Sequence, residues 1–355
     1  MKRAMLKSAV FAAATLASAG AMATPCDIVL SDYANGIWPD APQYHPECFG
    51  ASQQNAAVSI TQTSFAQISA ISTALINRFL ASPPTEVAGL STGAAAATPG
   101  KPWNIWGNLN DARTRQEYFR PLAGSNIRLS TDSLNTVIGG DYALSSRFVA
   151  GVSAAIDRSS GDSYANGLMQ NALTNKGYMI APYVGYSISK ELALDASLGF
   201  GQGELSQTGN VKADADRWFA GINLNYSRWM GNTQLSGKLG YMHGEEKYDE
   251  AKLNGTTLNS TGATNKIDRW HLGAQAAWWM GGAMPYIGLS YLNDHRSTSL
   301  SGAADPIGKD AWQWSLGVNF LSVSRGLTGG IVWQQEESRS NQKQHQLVAN
   351  IGLRF

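Results

Sequence analysis

Residues 311–322 read AWQWSLGVNFLS. Trp312, Trp314, Leu316, Val318 and Phe320 alternate with Gln313, Ser315, Gly317 and Asn319. Successive side chains of a strand point to opposite faces, so this stretch has one apolar and one polar face. The last segment repeats the pattern, with Leu347, Ala349, Ile351, Leu353 and Phe355 set against Asn350, Gly352 and Arg354. So do 191–203 (Leu192, Leu194, Ala196, Leu198, Phe200), 217–229 (Trp218, Ala220, Ile222, Leu224, Tyr226) and 268–280 (Trp270, Leu272, Ala274, Ala276, Trp278).

Working outward from these, the period of two marks twelve segments: 102–111, 134–144, 146–157, 177–189, 191–203, 215–229, 232–245, 266–281, 283–295, 311–322, 326–337 and 344–355. Many exceed the ~5–6 residues usual for soluble strands and suit the ~9–11 that cross a membrane. The connections alternate. Long ones are 112–133, 158–176, 204–214, 246–265, 296–310 and 338–343; short ones are Ser145, Lys190, Met230-Gly231, Gly282 and 323–325. Long loops on one side and tight turns on the other predict an outer-membrane barrel, its termini on the periplasmic side. A sheet in lipid must close, because an open edge leaves backbone groups unpaired. The fold class is therefore all-β: a transmembrane twelve-stranded antiparallel barrel, apolar outside and polar within. Trp218, Trp229, Trp278, Trp279, Trp312, Tyr178 and Tyr286 are expected at the interfacial girdles. Gly151, Gly185, Gly199, Gly221, Gly273 and Gly317 fall on the lumen face, where small residues ease curvature. A soluble β-sandwich or lipocalin-like barrel is the competing fold; it would turn its apolar face inward.

The composition agrees. Charged residues are 15% of the chain, below the roughly one quarter of soluble domains, and there are 37 glycines and 11 tryptophans. Removing Lys2, Arg3 and Lys7 changes 27 basic against 26 acidic residues into a net charge of −2. No global basic field is left for nucleic acid. Those three cations, the apolar run Ala9–Ala17 and the small-x-small site Ala21-Met22-Ala23 read as a signal peptide over 1–23. The protein is thus expected in the outer membrane of a Gram-negative bacterium, a monomer in contact with its lipid.

Residues 24–100 differ from the barrel, 101–355. Cys26 and Cys48 are the only cysteines. In an oxidising compartment they are expected to pair, contributing about 3 kcal/mol in the chain-entropy picture. His45 and Glu47 beside Cys48 match no zinc spacing. From Gln53 to Leu80, Ile68, Ile71, Leu75 and Phe79 form a helical stripe ended by Pro83-Pro84. At 1.5 Å per residue this helix reaches about 42 Å, enough to run through a barrel lumen. Its other faces are slim and neutral, with Arg78 the one charge. Docking under the barrel is the alternative. Ser82–Pro102 reads as a flexible connector.

Trp106-Gly107 in the first strand, Gly139-Gly140-Asp141-Tyr142 in the second, the glycine-punctuated strands that follow and the terminal Leu353-Arg354-Phe355 give residues 102–355 a resemblance to the C-terminal translocator barrel of type V autotransporters. The resemblance implies a twelve-stranded barrel with a helix in its lumen that translocates or displays an N-terminal segment. It implies partners in the barrel-insertion machinery and periplasmic chaperones, with Leu353 and Phe355 in the assembly signal. Two features depart from the family. Residues 24–100 lack the repeating strands of a β-helical passenger, and Val348 and Asn350 replace the polar residue and glycine upstream of the final aromatic. A stand-alone passive barrel, whether pore, structural protein or adhesin, is the other reading.

No cofactor motif or catalytic constellation stands out. Asp294-His295 point to opposite faces, Ser290 has no acid at a readable spacing, and Asp214 with Asp216 reads as solvated loop charge. Arg269, His271, Lys238, Asp195 and Arg354 are expected to face the lumen. No enzyme activity is expected.

Overall fold

Where each strand has one apolar face, twelve of them can bury their polar faces together only by closing on themselves. The computed structural model describes residues 26–45, 48, 53–79, 101–120, 124–299, 306–322 and 325–355; the expected signal peptide, and the expected connector up to residue 100, lie outside them. The strands are β1 (Trp103–Arg120), β2 (Ser125–Ala143), β3 (Phe148–Ala165), β4 (Leu168–Ser187), β5 (Leu192–Gln207), β6 (Val211–Met230), β7 (Thr233–Tyr248), β8 (Lys252–Leu253), β9 (Thr256–Thr257), β10 (Ala263–Trp278), β11 (Ala283–Thr298), β12 (Asp310–Ser322), β13 (Leu327–Glu337) and β14 (Gln342–Arg354). Each of the twelve long strands pairs antiparallel with its neighbours, β7 passes directly to β10, and β1 pairs with β14 from Asn104↔Arg354 to Gln116↔Gln342. Trp103 and Phe355 complete this seam, each donating its N–H to the other's carbonyl at 3.1 Å. The short hairpin β8–β9 adds to the edge of β6.

The apolar positions face outward. Ile138, Ile156, Leu316 and Ile351 are 62%, 67%, 51% and 60% exposed, whereas the alternate polar positions Asn108, Asn135, Asn223 and Gln313 are buried. That inversion excludes a soluble sandwich. Trp229 and Tyr286 correct the girdle expectation. Each follows the inward parity of its strand: the Trp229 indole nitrogen is buried and Tyr286 lines the interior. An aromatic near a strand end joins a girdle only where its parity points outward.

Four of the expected long connections are a second correction, while those from β7 to β10 and from β11 to β12 stay long. Residues 112–120 and 125–133 continue β1 and β2, and β3 and β4 are joined by Asn166-Gly167 alone. Outside the apolar belt, outward positions carry Asp111, Arg113, Arg115 and Glu117, so the polarity alternation fades while the burial alternation continues. Arg113 and Asp132 pair across β1 and β2 at 3.4 Å, both exposed. The barrel therefore rises well beyond the belt at the end away from Trp103 and Phe355. That end is called the far end below, and the other the terminal end.

Candidate functional site: the threaded lumen

Helix α1 (Cys26–Ala34), helix α2 (Ala41–Tyr44) and helix α3 (Gln53–Phe79) precede the barrel in the chain. Helix α3 lies inside the barrel, against β1–β7, β10 and β11. Ile68, Ile71, Leu75 and Phe79 are all buried on one stripe, which meets Trp106, Val137, Val149, Met179, Tyr183 and Phe219 of the wall. Two glycines make room for it. A Cβ on Gly221 would come 2.7 Å from Ile68 Cδ1, and one on Gly185 would come 2.9 Å from Leu75 Cδ2. The apolar stripe thus seats as knobs in holes left by missing side chains.

The polar faces of α3 find partners at each level. Near the far end, Gln62 Nε2 donates to Thr114 Oγ1 at 2.8 Å, and the Ser133 hydroxyl donates to the Gln62 carbonyl. One level down, Gln67 Nε2 donates to Ser153 Oγ at 2.9 Å. Next, Ser72 donates to Asp195 Oδ2 at 2.9 Å, and Asn223 and Asn225 donate to the same carboxylate at 2.6 and 2.7 Å. In the last turn Arg78 forms a buried ion pair with Asp141 and donates to Pro102 O at 2.7 Å. Asn104 and Tyr183 also donate to Asp141, at 2.9 and 3.0 Å, and Trp106 Nε1 donates to the Tyr183 hydroxyl at 2.8 Å. A cation in the last turn also suits the partial negative charge of the helix C-terminus. Arg354 adds a bond to Asn77 O at 3.0 Å. The C-terminus of α3 is therefore fixed beside the start of β1.

The other end of the N-terminal segment fills the far mouth. Cys26 and Cys48 are joined by a disulfide. Around it Val29, Leu30 and Ala41 pack against Leu173, Leu205, Val211, Ala213, Tyr248, Leu258 and Ala263, all at far-end strand termini or the β7–β10 loop. Tyr33 donates to Ser260 O at 3.2 Å. Below this module Arg217 bridges the wall, donating to Glu246 at 2.6 Å, to Asp157 at 3.0 and 3.1 Å and to Asn175 at 2.9 Å. Sequence reading missed this network, because its members come from β3, β4, β6 and β7 and share no local spacing.

The remaining candidates separate. Asp294 is buried and bound by Arg269 at 2.6 and 2.7 Å, while His295 is exposed on the opposite face. Asp214 and Asp216 are exposed on β6, on strand rather than loop. Leu353 and Phe355 face outward, 46% and 49% exposed, at the terminal end of the seam.

A closed barrel with an apolar outer belt and a helix along its polar lumen defines an integral outer-membrane barrel that encloses its own N-terminal segment. Residues 105–331 match the family model described as Autotransporter beta-domain. Among solved structures the chain is similar to the translocator domain of the autotransporter NalP from Neisseria meningitidis, at 11% identity and a TM-score of 0.57, covering 72% of this chain and 89% of that one. It is also similar to the transport unit of the autotransporter AIDA-I from Escherichia coli, at 11% identity and a TM-score of 0.54, covering 82% of this chain and 98% of that one. No curated protein matches the sequence. The chain belongs to the autotransporter β-domain family and is a barrel of the Gram-negative outer membrane.

Proposed function

We propose that this barrel carries its own N-terminal segment to the cell surface and holds it there, as a display device. The direction of α3 supports this reading. The Cys26–Cys48 module sits at the far end, and α3 descends from there to Arg78 beside Pro102 at the terminal end. In an outer membrane the terminal end is periplasmic, so residues 26–45 and Cys48 lie on the outward side. To arrive there from a periplasmic signal peptide, cut after Ala23, the segment must cross the lumen. In this reading the partners are the outer-membrane lipid, the barrel-insertion machinery and periplasmic chaperones, and no catalytic step is involved.

An epitope tag in the turn at Pro39-Asp40 tests the reading. Antibody should label it on intact cells. A tag reached only after the outer membrane is permeabilised, together with open-channel conductance of the full-length protein, would replace display by a passive pore.

A further inference from the structure

Helix α3 does not lie on the barrel axis. Its apolar stripe is pressed to the β1–β7 wall, and beside it a cavity of about 240 Å3 remains between α3 and the residues of β7, β10–β14 and β1 that face it. That is room for several waters, since one needs only about 10–15 Å3 of such space. The cavity reaches the terminal end beside Leu321 and Asn350. It stops below Phe65, whose ring centroid lies 4.8 Å from the Arg269 guanidinium carbon.

The lining mixes apolar and polar groups and carries one formal charge among the described residues. Amides such as Asn110 and Gln313 and the hydroxyls of Ser290 and Ser315 face it, and no carboxylate lines it among the described residues. The charge is the ammonium of Lys238 on β7. Among the described residues no carboxylate lies within ion-pairing distance of it. Asp195 is the carboxylate whose field reaches it, but that group is turned to α3 and held by Ser72, Asn223 and Asn225. His271 contributes a ring whose two nitrogens are buried with no hydrogen-bond partner among the described residues. Above the cavity Arg269, Arg296 and Arg339 meet Asp294, and Arg339 also meets Glu336.

We propose that this cavity is an anion site, admitting small carboxylates, sulfonates or phosphate esters from the terminal end and holding them against Lys238. A fixed cation in a narrow lumen with low-dielectric walls concentrates counter-ions. The surrounding amides and hydroxyls supply uncharged donors to the anion's oxygens, and the carboxylate whose field reaches Lys238, Asp195, is already held by Ser72, Asn223 and Asn225.

Both native cysteines are consumed in the disulfide, so Ser315→Cys creates a single free thiol in the cavity. The full-length variant is reacted with a sulfonate-bearing methanethiosulfonate and with its trimethylammonium counterpart. Each rate is divided by that reagent's rate with a small free thiol. The normalised anionic rate should exceed the cationic one by about tenfold, the scale expected of one unit charge acting with opposite sign on the two reagents across a watery gap. Adding Lys238→Gln should bring the ratio near one. Ser290→Cys repeats the measurement from β11, and heat-shifted gel migration verifies the barrel in every variant. Equal rates, a cationic preference or no reaction at both positions overturns the site. A preference that survives Lys238→Gln overturns the role of Lys238.

Discussion

Arg78 and Asp141, 63 residues apart in the chain, form an ion pair in which the side chains are 1% and 0% exposed. The pair joins the last turn of the luminal helix to β2, beside the barrel seam. Removing one member of a buried pair costs about 3–5 kcal/mol, because the other is left uncompensated. Arg78→Ala should therefore loosen the lower end of α3 and raise channel opening in planar bilayers above that of the parent protein. Unchanged conductance would show that the pair does not hold the helix.

Gly221 and Ile68 are matched in shape. Gly221→Val forces a side chain into the space of Ile68, at the ~1–3 kcal/mol typical of overpacking. The barrel should still form, with α3 displaced and open to protease. Adding Ile68→Ala should restore protection, so the two changes together harm less than their sum. Additive effects would mean that helix and wall do not touch at this point.

The Cys26–Cys48 bond encloses a short loop outside the strands. Cys26→Ser with Cys48→Ser should lower the stability of the N-terminal module by about 3 kcal/mol in the chain-entropy picture. It should leave heat-shifted migration of the barrel unchanged. Limited proteolysis read by mass spectrometry checks both halves: cleavage should appear before Gln53 and nowhere in the strands.

Phe355 closes the barrel through two backbone bonds to Trp103 while its ring faces lipid. Deleting it removes the last rung of the seam and the terminal aromatic together. Outer-membrane insertion should fall, with protease-sensitive chain accumulating in the periplasm. Wild-type insertion of the shortened chain would remove Phe355 from any assembly signal.

The strands were legible wherever lipid dictates their outer face. Leu347, Ile351 and Leu353 have to be apolar, and the period of two announces them. Beyond the belt nothing requires Asp111, Arg113 and Arg115 to be apolar, so the same strand continues without its signature. One local signal for the continuation was present: Asn166 and Gly167 both adopt positive φ, 49° and 81°, as a two-residue hairpin requires. The helix was legible from Ile68, Ile71, Leu75 and Phe79, but the wall it leans on was not. That choice rests on Gly185 and Gly221, whose matching partners lie more than a hundred residues away. The Arg217 network and the Lys238 cavity were hidden for a related reason, since charge pairs across a barrel obey strand order around the ring and no spacing along the chain.

The two ends of α3 differ in kind. At the terminal end it is tied to the wall by Arg78 and continues in sequence toward β1; at the far end it continues toward a disulfide-closed knob, broader than a single helix, lodged among the strand tips. In mechanical language the helix is an axle with a stopper. A pull toward the periplasm draws the knob deeper into its seat, and the load passes through a covalent ring to the rim of the barrel. A pull from outside works first against the buried charges and packed side chains along the shaft, and only then against the chain that runs on to β1. The assembly therefore resists force unequally in its two directions, as a toggle does.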